Sequence, residues 1–225
     1  MNGQTLTIHS DALDADLNVI VYSPHDIDKD EPVAIILYIF GDFLFHPFSG
    51  LLHYLSRELS LIPKAILVGI NELPGKQIGP YQKEYAHFIT HQLVEGLLER
   101  YSLTPKCVLF GHSRATRLVS EVMQDGSPYI RNFVLSAPWL ADQQLGDLET
   151  SFHNTDLDIS VFVTQSEEDL GRPVTSDAHQ KLMEMLDRCT ANVSADYRYF
   201  EGESHMSIPP LSFYYGILYH LGRNS

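Results

Sequence analysis

The stretch Cys107-Val108-Leu109-Phe110-Gly111-His112-Ser113-Arg114-Ala115-Thr116 decides how the chain is read. Cys107 to Phe110 form a short buried strand, and Thr116 to Met123 continue at helical spacing. Ser113 stands between them, with a glycine two residues before it and an alanine two residues after. A serine on a sharp strand-to-helix turn occupies a strained backbone conformation. Bulky side chains two positions either side would strike the adjoining strand and helix, which is why the nucleophile elbow has the pattern G-x-S-x-G. Gly111 meets the first requirement, and Ala115 puts a methyl where the second glycine usually stands. The helix that follows directs its free N–H groups and positive dipole end at the serine, so the backbone N–H of Arg114 is the expected oxyanion donor.

Strands and helices alternate on both sides of this turn. Thr5 to Ser23 reads as one or two antiparallel strands closed by Pro24. Val33-Ala34-Ile35-Ile36-Leu37-Tyr38-Ile39-Phe40 is a continuous run rich in β-branched residues, as in a parallel strand covered on both faces. A helix over Ser49 to Ser60, a strand over Ala65 to Ile70 and a long helix over Tyr85 to Tyr101 follow, the last broken by Thr104-Pro105-Lys106. After the elbow come strands at Phe133 to Ser136 and Ile159 to Val163, a helix over His179 to Cys189, a strand over Asp196 to Phe200 and a helix over Leu211 to Leu221. This alternation predicts a three-layer α/β fold: a mostly parallel sheet with helices on both faces and antiparallel strands at its N-terminal end. With no repeat, low-complexity segment or linker, residues 1–225 are expected to form one domain.

Composition narrows the function. The formal net charge is −14, from 29 acidic and 15 basic residues, which repels phosphate backbones and anionic lipid. Nucleic-acid and membrane partners are not expected. The longest apolar run, Val33 to Phe40, is too short to cross a bilayer, and Met1-Asn2-Gly3-Gln4-Thr5 shows no secretory signal, so a cytoplasmic protein is expected. Cys107 and Cys189 make no disulfide framework, and Cys107 reads as a small buried hydrophobe.

A serine hydroxyl needs a base, and this strand–elbow–helix architecture orders its groups as Ser, then Asp or Glu, then His. His205 sits in Phe200-Glu201-Gly202-Glu203-Ser204-His205-Met206-Ser207-Ile208-Pro209, the polar loop between the last strand and the last helix. An imidazole there can take up the serine proton near neutral pH. His112, inside the elbow, is expected to pack beside the nucleophile. His87 and His91 are four apart on a helix but show no third ligand, so neither metal nor cofactor is expected. The acid should follow the strand Ile159 to Val163, where Thr164-Gln165-Ser166-Glu167-Glu168-Asp169 offers three consecutive carboxylates. Glu168 is the first choice, Asp169 the second and Glu167 the third. The second oxyanion donor is expected at the backbone N–H of Asp42, in Gly41-Asp42-Phe43 after the strand Val33 to Phe40.

With these pieces placed, the chain from about Leu17 onward resembles the putative-esterase family, which includes esterase D, enterobactin-type siderophore esterases and several carbohydrate-ester hydrolases. The resemblance rests on Leu37-Tyr38-Ile39-Phe40-Gly41-Asp42, Ile62-Pro63-Lys64-Ala65-Ile66-Leu67-Val68-Gly69-Ile70, the long helix before the elbow, Gly111-His112-Ser113 and Ser204-His205-Met206-Ser207-Ile208-Pro209. It implies an α/β-hydrolase fold and ester hydrolysis, with Ser113 as nucleophile, His205 as base and a carboxylate at or near Glu168.

The sequence departs from the family at Phe40, where an Asp often stands, at Ala115 and at Arg114. Arg114 and Arg117 are expected either to pair with surface carboxylates or to place positive charge at the pocket mouth for an acidic substrate. Pro138 to Asp158 leaves room only for a short insertion, so no large lid is expected, and a small soluble ester fits better than a lipid droplet. Phe43, Trp139, Phe45 and Phe48 are candidate pocket residues against a default role in the core. Acyl transfer or thioester cleavage on the same residues is the alternative, and a catalytically silent binding protein is the alternative from another class. No pattern fixes an oligomeric state.

Overall fold

The apolar run at Val33 lies in the middle of an eight-stranded sheet. The computed structural model describes residues 3–28, 31–189 and 192–222; Met1 and Asn2, from which the absence of a leader was partly read, lie outside them. In chain order the elements are β1 (Gln4–Ser10), β2 (Ala15–Tyr22), β3 (Val33–Ile39), α1 (Gly41–Leu52), β4 (Ala65–Ile70), α2 (Gln82–His87), α3 (Val94–Leu98), β5 (Leu103–His112), α4 (Ala115–Asp125), β6 (Ile130–Ser136), α5 (Asp142–Asn154), β7 (Ile159–Ser166), α6 (Glu167–Leu170), α7 (Pro173–Arg188), β8 (Val193–Phe200) and α8 (Ile208–Leu221). The strand order is β1-β2-β4-β3-β5-β6-β7-β8. Pairing is antiparallel at β1–β2 and β2–β4, and parallel from β4 to β8.

Every residue of β3 is buried. Alternate side chains point to opposite faces of a strand, so Val33, Ile35, Leu37 and Ile39 enter one core layer, and Ala34, Ile36 and Tyr38 enter the other. The first layer is closed by Tyr85, Phe88, Leu118, Leu148 and Leu182, from the α2–α3 stretch, α4, α5 and α7. The second is closed by Phe48 and Leu52 of α1 and Phe213 and Ile217 of α8. There Phe48 stacks on Phe213 at 4.2 Å between ring centroids and meets Phe110 edge-on at 4.9 Å. Gly216 brings α8 against β6 so closely that a Cβ on it would lie 2.6 Å from Val134 Cγ2. The three layers and the N-terminal antiparallel strands are those expected.

The expected helix over Tyr85 to Tyr101 begins earlier, at Gln82, and ends at Leu98, with Phe88–Leu93 wound as a π-helix between α2 and α3. A second π-wound turn, His53–Glu58, continues α1. Residues Pro138 to Asp158 hold α5, whose Leu145, Leu148 and Phe152 are buried in the core, so this insertion is a packed helix rather than a lid. Among the described residues, no helix is long and apolar enough to cross a membrane.

Candidate active site

β5 ends at the elbow. Ser113 has φ 55°, in the left-handed region where non-glycine residues are strained. Its N–H donates to Ser136 O at 2.8 Å, which ties the strained turn to the end of β6. The need for small neighbours is visible in the packing. A Cβ on Gly111 would lie 2.6 Å from Val119 Cγ2 and 3.2 Å from the Ala115 backbone, whereas the Ala115 methyl is accommodated in the core. Arg114 is the N-cap of α4, so its N–H has no carbonyl one turn back and stays on the serine side of the helix.

The His205 imidazole bridges the elbow to Asp169. Its Nε2 lies 3.0 Å from Ser113 Oγ, and its Nδ1 lies 3.0 Å and 3.1 Å from Asp169 Oδ1 and Oδ2. Asp169 is only 1% exposed. Ser166 caps α6, accepting the Asp169 N–H at 3.1 Å and donating its hydroxyl to Asp169 Oδ2 at 2.6 Å. Burial works against ionisation of Asp169, but the hydrogen bonds from His205 and Ser166 and the electrostatic pull of His205 and Arg172 outweigh it. The carboxyl is held below the ordinary aspartate value.

The expectation of Glu168 as the acid is therefore corrected: the structure places Asp169 against the imidazole. The three consecutive carboxylates divide their work along the 200–207 loop. Glu167 accepts the Gly202 N–H at 2.7 Å. Glu168 accepts the His205 backbone N–H at 2.9 Å and pairs with Arg172. Only Asp169 turns inward from the short helix. Ser166 was missed in the sequence, yet Ser166-Glu167-Glu168-Asp169 has the spacing of a capping box, in which the serine fixes the residue three positions on.

His112 packs against His205 with the rings tilted by 40° and their centroids 4.7 Å apart. Its Nδ1 lies 3.0 Å from Ser136 Oγ, at the start of a buried chain that runs on to Ser212 and Thr164. Burial, with a smaller push from His205, lowers the His112 pKa to about 4, so its imidazole is neutral at neutral pH.

The loop after β3 departs from expectation. Phe40 takes the left-handed conformation, φ 65° and ψ 57°, before α1. The N–H of Asp42, expected as an oxyanion donor, donates instead to Asn71 Oδ1 at 3.0 Å. Phe43 and Trp139 also depart from the expected pocket. Phe43 is 64% exposed on the first turn of α1; Trp139 is 41% exposed, with the Arg117 guanidinium 4.8 Å from its ring centroid. Phe45 and Phe48 are core residues. The cavity next to the elbow, about 310 Å³, is lined instead by Phe40, Arg114 and Arg117 together with Glu72, Gln82 and the Gln77–Gly79 segment. Among the described residues, neither Arg114 nor Arg117 forms an ion pair; Arg117 Nε donates to Trp139 O at 3.2 Å, and one carboxylate, Glu72, shares the cavity wall with the two guanidinium groups. The described His, Cys, Asp and Glu side chains with metal-ligand spacing are His87, His91 and Asp125, which lie away from Ser113.

No protein-family model and no curated protein sequence matches the chain. Solved structures do. An IroE-like serine hydrolase from Shewanella oneidensis superposes with a TM-score of 0.79 at 19% identity, over 97% of this chain and 79% of that one. The siderophore hydrolase EstB from Aspergillus nidulans gives 0.80 at 13% identity, over 98% and 95%. A variant of the feruloyl esterase module from Clostridium thermocellum, complexed with sinapinate, gives 0.72 at 13% identity, over 97% and 86%. Identities this low establish a shared α/β-hydrolase fold.

Proposed function

We propose that the protein is a serine hydrolase of carboxylic esters. The observation that carries this reading is the continuous chain Ser113 Oγ–His205 Nε2–His205 Nδ1–Asp169, with 3.0 Å at each of its two hydrogen bonds. His205 removes the serine proton as Oγ bonds to the ester carbonyl carbon, and Asp169 holds the imidazole in the right tautomer and stabilises its cation. The oxyanion is received by the Arg114 N–H. A second donor must come from the turn at Phe40, which lines the same cavity as Arg114. Collapse expels the alcohol, which takes the proton from His205. Water, deprotonated by the same imidazole, then cleaves the acyl-enzyme and releases the acid.

Two guanidinium groups against the single carboxylate of Glu72 leave the cavity wall net positive, which favours a small ester that carries negative charge. Among the structural neighbours, one is a siderophore hydrolase and another, a feruloyl esterase module, is complexed with sinapinate, which supports a small ester as the substrate class. Hydrolysis of a short-chain p-nitrophenyl ester, followed with wild type and Ser113→Ala, tests the proposal. Turnover abolished in Ser113→Ala is the expected result; equal turnover in both proteins would overturn it.

A further inference from the structure

The sequence leaves His87 and His91 without a third ligand, and the fold supplies one. α2 passes into its π-wound continuation between them, and the two imidazoles, four residues apart on one helix face, lie 4.5 Å apart, centroid to centroid. Asp125, the last residue of α4, reaches them from the neighbouring helix: its Oδ2 lies 3.1 Å from His91 Nε2. One ligand atom from each of the three side chains falls within 4.8 Å of the others. We propose that His87, His91 and Asp125 form a binding site for a divalent transition-metal ion of the zinc type, separate from the Ser113 site.

Four features of the surroundings suit a cation. Two imidazole nitrogens and one carboxylate oxygen are a donor set that zinc accepts, at bond lengths of about 2.0–2.2 Å, leaving one or more positions for water. Rotation of exposed side chains closes the remaining gaps, and His91 and Asp125 are already closer than they need to be. Asp125 sits at the C-terminal end of α4, where the negative end of the helix dipole favours positive charge. The buried Thr90 hydroxyl donates to Asp125 Oδ2, an outer hydrogen bond of the kind that fixes a ligating carboxylate.

The site lies at the far end of α4 from the elbow. Asp125 is ten residues beyond Ala115, which at 1.5 Å per residue is about 15 Å along the helix axis. A bound ion would join the α2–α3 stretch to the last turn of α4 and stabilise the fold, with no part in the ester chemistry.

The test is a titration of chelator-treated full-length protein with zinc chloride, followed by calorimetry and thermal unfolding. One equivalent should bind, and at a free metal concentration about 100 times the dissociation constant the unfolding midpoint should rise by roughly 5–10 °C. His87→Gln, His91→Gln and Asp125→Asn should each weaken binding by at least about tenfold, while His153→Gln, at an exposed position of α5, leaves it unchanged. Cobalt(II) should give visible d–d absorption that His87→Gln removes. Circular dichroism without metal checks that each variant folds. Absence of saturable one-to-one binding, or equal affinity in the triple variant, would overturn the site. Ester hydrolysis that persists in chelator is expected either way, so failure here leaves the Ser113 proposal standing.

Discussion

Replacing Asp169 by Asn separates the proposed acid from its neighbours. The carboxylate lies 3.0 Å from His205 Nδ1 and is buried. At an effective dielectric of about 20, unit charges some 4 Å apart attract by about 4 kcal/mol, which at about 1.4 kcal/mol per decade is roughly 10³ in rate if felt only once the imidazole is charged. The amide also offers a donor toward the ring. When its nitrogen faces Nδ1, the proton is forced onto Nε2, and the imidazole can no longer accept from Ser113. Asp169→Asn should therefore lower kcat by about 10³–10⁴ with little change in KM. Glu168→Gln keeps an oxygen for the His205 backbone N–H and loses a charge already paired with Arg172, so its kcat should fall by less than about tenfold. The assay is steady-state p-nitrophenyl ester hydrolysis on variants whose unfolding midpoints are measured alongside. A loss in Glu168→Gln equal to or larger than that in Asp169→Asn would refute this assignment.

Other consequences can be checked in the same preparations. His112 and His220 are buried, and burial lowers both pKa values to about 4. A histidine depressed in the folded state stabilises it fully above the unfolded value of about 6.5, and that stability is lost as pH falls toward 4. Each group is worth up to about 3 kcal/mol. Urea unfolding should show stability declining across that window, with a shallower slope in His220→Phe; a flat profile would contradict the burial argument. Gly216→Ala forces a methyl onto Val134 and should cost about 1–3 kcal/mol by thermal unfolding, whereas an unchanged midpoint would show that α8 can shift. Arg114→Gln with Arg117→Gln should raise KM for a carboxylate-bearing ester by about tenfold, some 1.4 kcal/mol, while sparing a neutral one. Equal effects on both esters would remove the case for an anionic substrate.

The elbow at Ser113 was legible because an apolar strand, a glycine and a helix meet there, all within ten residues. His205 was legible because its loop joins the last strand to the last helix. The acid was not, because Glu167, Glu168 and Asp169 are chemically alike and adjacent. Their roles are set by the direction each takes from α6, which the Ser166 cap fixes. Asp42 failed as a donor for a different reason: its N–H is taken by Asn71, 29 residues away, a contact that no local pattern reports. The cavity wall was missed for the same reason. Gln77, Ile78 and Gly79 lie in the connection between β4 and α2, where hydrophobic periodicity is silent. The helix over Tyr85 to Tyr101 was right in kind, but its π-wound middle, Phe88–Leu93, carries no signature beyond helical spacing.

The central claim is that His205 activates Ser113 for covalent attack. Treating the folded protein with a fluorophosphonate and mapping the adduct by mass spectrometry measures this directly. The account predicts stoichiometric modification of Ser113, and labelling slowed by orders of magnitude in His205→Ala. Folded wild-type protein that leaves Ser113 unmodified, or labels as fast without the imidazole, would contradict it.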